Sequence, residues 1–207
     1  AGIFYFIVSL IIIIPSIKKK NNINYLVLFS FLSLLISCIH INWIIDNPIR
    51  QTNSLKLNNN KINYNDDKNF IKLNKSQGEY IYKAKIIAKD AGLKKGDHIL
   101  DLTGKSPGLI FLLDANSLGA PWMIGGYPGS LEFAKAKIQS TSCEKISKSW
   151  IMHDNFSRNI SLDILKSYGS DINLDYVEIG IWKSSIYKGS FKQKLFKPVD
   201  RNVIYNK

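Results

Sequence analysis

The first 46 residues contain two uncharged apolar runs that a group of three lysines separates. The first run begins at Ile3 and is broken by Pro15, and the second covers residues 25–45. A helix needs about 20 apolar residues to cross a bilayer, and the second run has that length. The pattern therefore predicts two transmembrane helices, at about 3–17 and 25–45.

The lysines between these runs predict the orientation of the chain. A short lysine-rich loop stays on the cytoplasmic side, because moving its charges across the membrane is unfavourable. Lys18, Lys19 and Lys20 therefore place everything after Asp46 outside the cytoplasm. We expect an integral protein of the bacterial inner membrane with an extracytoplasmic C-terminal domain. The apolar start lacks the basic segment of a signal peptide. We therefore expect that the chain is the C-terminal piece of a longer, multi-spanning protein. The alternative is a two-span protein whose start is missing.

Two regions with different patterns follow the apolar runs. Residues 47–77 are rich in asparagine and show neither helical nor alternating periodicity, so we expect a flexible linker there. From residue 78 onward, helical spacing alternates with short apolar runs. This alternation predicts a three-layer α/β (Rossmann-like) domain over residues 78–207, with a mixed, partly parallel sheet. The predicted helices are 78–91, 109–116, 131–139 and 161–168, and the predicted strands are 98–102, 121–124, 149–152, 176–182 and, at the sheet edge, 191–196.

The composition narrows the classes of partner. The formal charge is +12, yet only Arg50, Arg158 and Arg201 are arginines among 28 basic residues. Nucleic-acid binders rely on arginine for bidentate contacts, so this balance argues against a nucleic-acid partner. The lysine surplus fits membrane lipids with anionic headgroups, or acidic glycans. The few cysteines and histidines are scattered, so we predict no disulfide framework, no metal site and no cofactor.

The strongest candidate for chemistry is a polar loop between a strand and a helix. Asp101 ends the predicted strand, and residues 103–108 read Thr-Gly-Lys-Ser-Pro-Gly. Such a turn directs backbone N–H groups toward an anion. It fails the phosphate-binding P-loop pattern, because Ile99 occupies the position of the first required glycine. Residues 92–102 look like the first motif of S-adenosylmethionine-dependent methyltransferases, but the loop lacks that motif's G-x-G core.

A second glycine-rich loop, residues 125–129, also leads into a predicted helix. Both loops are expected at the carboxyl edge of the sheet, where open α/β sheets bind ligands. Aromatic rings there could stack on a sugar or a lipid headgroup. Alternatively, the glycines only turn the chain and the aromatic residues belong to the core. The predicted ligand-binding residues are Asp101, Thr103, Gly104, Ser106, Gly108, Trp122, Gly125, Gly126 and Tyr127.

The same two loops carry a resemblance to a known group of proteins. The segments are residues 101–104, 106–108, 121–122 and 125–130. Together they resemble the C-terminal extracytoplasmic region of poorly characterised, multi-spanning bacterial membrane proteins, and the resemblance covers about residues 78–207. Some of these proteins look like membrane-embedded glycosyltransferases that use polyprenyl-phosphate sugars. In that class the catalytic acid lies in an early extracytoplasmic loop, so the resemblance implies no catalytic residue in this chain.

We therefore expect an accessory domain that recognises the substrate or acceptor of a lipid-linked sugar transferase, with a polyprenyl-phosphate sugar or a glycan as its partner. Asp101, Thr103 and Ser106 would hydrogen-bond the ligand, and Trp122 and Tyr127 would stack on it. Two alternatives remain open. One is a non-catalytic extracytoplasmic protein-interaction domain, and the other is a degenerate methyltransferase-like domain.

Overall fold

A computed structural model describes residues 23–49, 51, 53–64, 69–156, 158–184 and 191–199. The chain divides into two compact units, Ala1–Leu57 and Asn58–Lys207. The first predicted membrane helix, residues 3–17, lies outside the described residues.

The first unit contains helix α1, Ile23–Asp46, and a short 3₁₀ helix, Leu55–Leu57. The end of α1 is fixed by polar contacts, since the Ser54 hydroxyl donates to the Ile45 carbonyl and the Asp46 carboxylate, and Lys56 pairs with Asp46 at 3.0 Å. A helix over residues 25–45 is thus present. In the described part of the chain, however, no helix meets the length and hydropathy needed to cross a membrane. The prediction of two transmembrane helices is therefore not supported.

The second unit is built on a mixed five-stranded sheet, as the sequence predicts. Its strand order is β4-β3-β5-β7-β6. β3 pairs in parallel with both β4 and β5, whereas β7 is antiparallel to β5 and to β6. A separate antiparallel hairpin, β1–β2, precedes the sheet. The strands are β1 Asn60–Tyr64, β2 Asn69–Leu73, β3 His98–Asp101, β4 Asn116–Leu118, β5 Trp150–Asp154, β6 Tyr176–Lys183 and β7 Lys192–Pro198.

Helices cover both faces of this sheet because its central strands bury alternate residues on opposite sides. Ile99, Trp150 and Met152 pack beneath α2 and α3, together with the β1–β2 hairpin. Leu100 and Ile151 pack on the other face beneath α4, α5 and a 3₁₀ helix at Leu162–Tyr168. The helices are α2 Lys75–Asp90, α3 Pro107–Leu112, α4 Ser130–Gln139, α5 Cys143–Lys148 and a single turn, α6, at Ile172–Asp175.

Three local predictions differ from the structure. The segment predicted as a linker, residues 47–77, contains β1 and β2 and the start of α2, whose first turn is capped by the Asn74 side chain accepting from Gln77 N–H. The second strand of the sheet lies at Asn116–Leu118 instead of residues 121–124. The last strand, predicted at the edge, is inserted between β5 and β6. The positions of β4 and β7 depend on pairing with strands farther away in the sequence, which local periodicity does not encode, whereas the β1–β2 pairing is local.

Candidate functional site

The candidate site lies at the carboxyl edge of the sheet, beside β3 and β5. The connection after β3 forms α3 on one face, and the connection from β4 to β5 forms α4 and α5 on the other. The chain therefore passes from β3 to β4 on one side and then returns to β5 on the other side of β3. Such a switch point usually leaves a ligand-binding crevice. Because β7 is antiparallel to β5, its first residues reach the same edge.

Asp101 fixes the loop that follows β3. One oxygen of its buried carboxylate accepts hydrogen bonds from Thr103 N–H, Thr103 Oγ1 and Gly104 N–H at 2.9, 2.6 and 3.2 Å. The other oxygen accepts from Ser106 N–H at 3.0 Å. Burial raises the pKa of Asp101, while these hydrogen bonds oppose that shift. The carboxylate thus organises the loop itself.

A second set of buried hydrogen bonds ties this loop to distant elements. The Ser106 hydroxyl contacts Thr103 Oγ1 at 3.1 Å and accepts from the Gln193 side-chain amide at 2.8 Å. The same amide group accepts from the Tyr80 hydroxyl at 2.7 Å. Burial raises the pKa of Tyr80, so the phenol stays protonated and donates. The loop is thereby connected to β7 and α2.

A buried ion pair joins the loop after β3 to the last residue of β5. Lys105 Nζ lies 2.9 Å from Asp154 Oδ2, and the two side chains are only 4% and 2% exposed. The ammonium group also lies 3.5 Å from the centre of the Phe156 ring and 5.5 Å from that of Phe191. Burial lowers the pKa of Lys105, while the hydrogen bond and the charge of Asp154 oppose this shift. The protein's own side chains therefore occupy the switch point.

The segment that leads into the second glycine loop lies against the first glycine loop, because the glycines permit close backbone approach. A Cβ at Gly104, whose φ is +64°, would overlap the Met123 carbonyl oxygen. A Cβ at Gly125 would overlap the Asn159 carbonyl oxygen, and Gly125 N–H donates to the Arg158 carbonyl at 2.8 Å. The loop of residues 121–129 is thus held between the loop after β3 and the loop after β5.

Two predicted ligand-binding residues, Trp122 and Tyr127, remain at the surface of this loop. Their side chains are 46% and 54% exposed. Trp122 has a φ of +65°, a left-handed conformation that a tryptophan rarely adopts. The Arg158 guanidinium donates to the Tyr127 hydroxyl at 2.8 Å and lies 5.1 Å from the ring centre. An aromatic surface with a cationic neighbour therefore lies outside the buried network.

Eight of the nine predicted site residues accordingly fall into two groups of four. The inner group shares a buried polar network, the outer group lies on the surface loop, and Gly108 lies in the exposed first turn of α3. Sequence reasoning missed Lys105, Asp154, Gln193 and Tyr80 as members of the network. Asp154 could have been found as the last residue of a strand parallel to β3.

Within the described ranges, no group of three or more His, Cys, Asp or Glu side chains could hold a metal ion.

No protein-family model matches the chain, and no curated protein or solved structure is significantly similar to it.

Gly104 and Gly108 provide a matched test of the loop packing. We expect Gly104→Ala to destabilise the second unit by more than about 2 kcal/mol, because the residue has a positive φ and its Cβ would overlap a backbone carbonyl. Gly108→Ala meets no atom within 4 Å and replaces a helical glycine, so it should stabilise by about 0.5–1 kcal/mol. Urea unfolding monitored by tryptophan fluorescence measures both effects. Equal stability of the two variants would contradict this packing.

The buried ion pair provides a second test. Lys105→Met leaves the Asp154 carboxylate buried and unpaired, which should reduce the free energy of unfolding by about 3–5 kcal/mol. Lys105→Met combined with Asp154→Leu removes both charges and should recover at least half of that loss. The measurement is a double-mutant cycle by urea unfolding. If the double variant is less stable than Lys105→Met alone, the pair does not act as described.

Proposed function

We propose that the second unit is an extracytoplasmic accessory domain that recognises the sugar or acceptor substrate of a lipid-linked sugar glycosyltransferase. Its ligand would bind against Trp122 and Tyr127 on the loop of residues 121–129, with Arg158 beside it. The observation that carries the proposal is that these two aromatic side chains are exposed on a loop whose backbone is fixed by close packing. The resemblance of the two glycine loops to extracytoplasmic regions of membrane glycosyltransferases supports the same role.

The position and rigidity of the aromatic residues favour recognition of a hydroxyl-rich ligand. Aromatic rings with a polar edge combine a large apolar surface with a hydrogen-bonding group. Here the Tyr127 hydroxyl accepts a hydrogen bond from Arg158. The Arg158 guanidinium has further N–H groups that can donate to ligand oxygens. A fixed loop loses little conformational entropy on binding, so even a modest contact area gives useful affinity.

The buried network favours this surface over a cofactor pocket in the crevice. In our proposal Asp101, Thr103 and Ser106 shape the loop rather than contact the ligand, because their polar atoms are buried and bonded to one another. Lys105 and Asp154 fill the place where a methyltransferase-like domain would need room for its cofactor. The degenerate methyltransferase-like alternative is therefore the weaker one.

A non-catalytic protein-interaction domain is the second candidate function. The observation that favours it is the edge strand β6, where Val177 and Ile181 are 53% and 45% exposed. An exposed edge with apolar side chains can pair with a strand from another chain. The two candidates use different surfaces, so variants can separate them.

We expect Trp122→Ala combined with Tyr127→Ala to weaken glycan binding at least about tenfold, because stacking surface is lost. The full chain, in a nonionic detergent, is first screened against a panel of neutral and acidic oligosaccharides. Affinities for those that bind are then measured by isothermal titration calorimetry.

The matched control is Val177→Ser combined with Ile181→Ser, which removes exposed apolar side chains from β6 without changing the loop. We expect this control to bind glycans as the unaltered protein does. Absence of binding to the whole panel, or equal loss in both variants, would refute the proposed function.

We further propose that the first unit attaches the protein to a bacterial inner membrane, with the second unit on the extracytoplasmic side. Support comes from large apolar side chains that α1 leaves exposed: Phe31, Leu34, Ile39, Ile41 and Trp43. A helix that is apolar on all sides requires burial in protein or lipid.

Reporter fusions after Lys207 test this location in bacterial cells. Alkaline phosphatase should be active there, because it folds only outside the cytoplasm. A fusion to a fluorescent protein that matures only in the cytoplasm should stay dark. Bright fluorescence combined with an inactive phosphatase would overturn the proposed orientation, and release of the chain by alkaline carbonate would overturn membrane insertion.

A further inference from the structure

A separate cleft opens at the amino end of the sheet, away from the aromatic loop. It lies between the last turns of α2, the loop leading to β3 and the end of α3, and its volume is about 210 Å³. Lysines and apolar side chains alternate around it. The lining residues are Lys85, Ala88, Lys89, Leu93, Lys95, Leu112, Leu113 and Asp114.

The charged side chains make the cleft basic. Lys85 and Lys89 lie one turn apart on α2, Lys95 lies on the next loop, and Asp114 is the one carboxylate in the lining. Lys85 Nζ also donates to the Asn63 carbonyl at 2.8 Å, which leaves two of its three N–H donors for an anion. Like charges four residues apart on a helix repel each other. An anion placed among the three ammonium groups would relieve that repulsion and attract all three.

The floor of the cleft is apolar. Ala88 and Leu112 are buried at its base, and Leu93 and Leu113 are half-buried beside them. The loop that carries Lys95 is held in place, because Gly96 N–H donates to the Asp114 carbonyl and Lys94 N–H donates to the Asp97 carboxylate, both at 2.8 Å. The lysines therefore surround an apolar base whose adjoining loop is fixed.

The size of the cleft limits what it can hold. Pockets for drug-sized ligands have volumes of about 300–1,000 Å³. A cleft of about 210 Å³ is too small for a nucleotide, but it accommodates a single phosphate group and the first atoms attached to it.

We propose that this cleft binds the phosphate group of an anionic lipid, with the three lysines around the phosphate and the apolar floor against the glycerol and the start of its acyl chains. Clustered lysines near a membrane surface attract anionic headgroups electrostatically. The apolar floor favours a lipid phosphate over the free ion, since inorganic phosphate gains nothing from Leu93 and Leu112. This proposal does not depend on glycan binding at the aromatic loop.

Titration calorimetry of the full chain in a nonionic detergent tests the proposal with three soluble probes. These are dihexanoyl phosphatidic acid, inorganic phosphate and, as a zwitterionic control for partition into the micelle, dihexanoyl phosphatidylcholine. We expect phosphatidic acid to bind at least about tenfold more tightly than inorganic phosphate, because it adds apolar contact. Equal affinity for these two probes would overturn the lipid assignment, and absence of binding to either would overturn the site.

Variants separate this site from a general effect of net charge. Lys85→Gln, Lys89→Gln and Lys95→Gln together should weaken phosphatidic acid binding at least about tenfold. The matched control changes three exposed lysines on the opposite face, Lys135, Lys137 and Lys145, to glutamine and should change affinity less than about twofold.

Asp114→Asn should act in the opposite direction. It removes the one carboxylate that lines the cleft and should strengthen phosphatidic acid binding by about twofold to fivefold. Equal losses in the two triple variants, or weaker binding by Asp114→Asn, would refute the cleft as the binding site. Thermal unfolding monitored by circular dichroism verifies that each variant remains folded.

Discussion

The second unit depends on one buried carboxylate, that of Asp101. An ionised group without partners is expensive to remove from water, but Asp101 accepts four hydrogen bonds from the residues that immediately follow it. These bonds fold residues 103–106 into a tight loop. The loop in turn directs Ser106 toward Gln193 and Lys105 toward Asp154. A single strand-ending residue thereby joins β3 to β5, β7 and, through Gln193, to Tyr80 on α2.

This organisation changes the role of the crevice at the switch point. In an open α/β sheet the space outside the carboxyl ends of the strands normally admits a ligand. Here the Lys105–Asp154 pair occupies it, next to the rings of Phe156 and Phe191. A buried ion pair is weak evidence for stability, because desolvation offsets much of its attraction, but removal of one partner is strongly unfavourable. The pair therefore occupies the crevice, and in the proposed function recognition is assigned to the exposed side chains of Trp122 and Tyr127.

The sequence predicted those features that local patterns encode. The apolar runs at β3 and β5, helices α3 and α4 and the approach of the two glycine loops follow from short-range periodicity and turn chemistry, whereas α5 was not predicted. The β1–β2 hairpin was not predicted because half of its ten strand residues are asparagine or lysine. Its apolar side chains, among them Ile62 and Ile71, are partly buried against the core cluster to which α2 contributes. The three-residue strand β4 is too short to show any period.

The polar network could not be predicted, for a different reason. Lys105 and Asp154 are 49 residues apart in sequence, and Tyr80 and Gln193 are 113 apart. Their pairing is decided by strand order, and in particular by the insertion of β7 beside β5, which brings Gln193 to the carboxyl edge.

The two ends of the sheet consequently differ in electrostatic character. At the carboxyl edge Lys105 and Asp154 neutralise each other in the interior, so what remains for a ligand there is the aromatic surface and Arg158. At the amino end the lysines of the cleft outnumber the single carboxylate of Asp114 and lie at the surface, where their field reaches solvent. The buried pair is therefore compensated within the fold, whereas the lysines of the cleft lie where an anion can approach them. In the two proposals, the amino end of the sheet therefore contacts an anionic lipid, and the aromatic loop at the other end stays open to a neutral or acidic sugar.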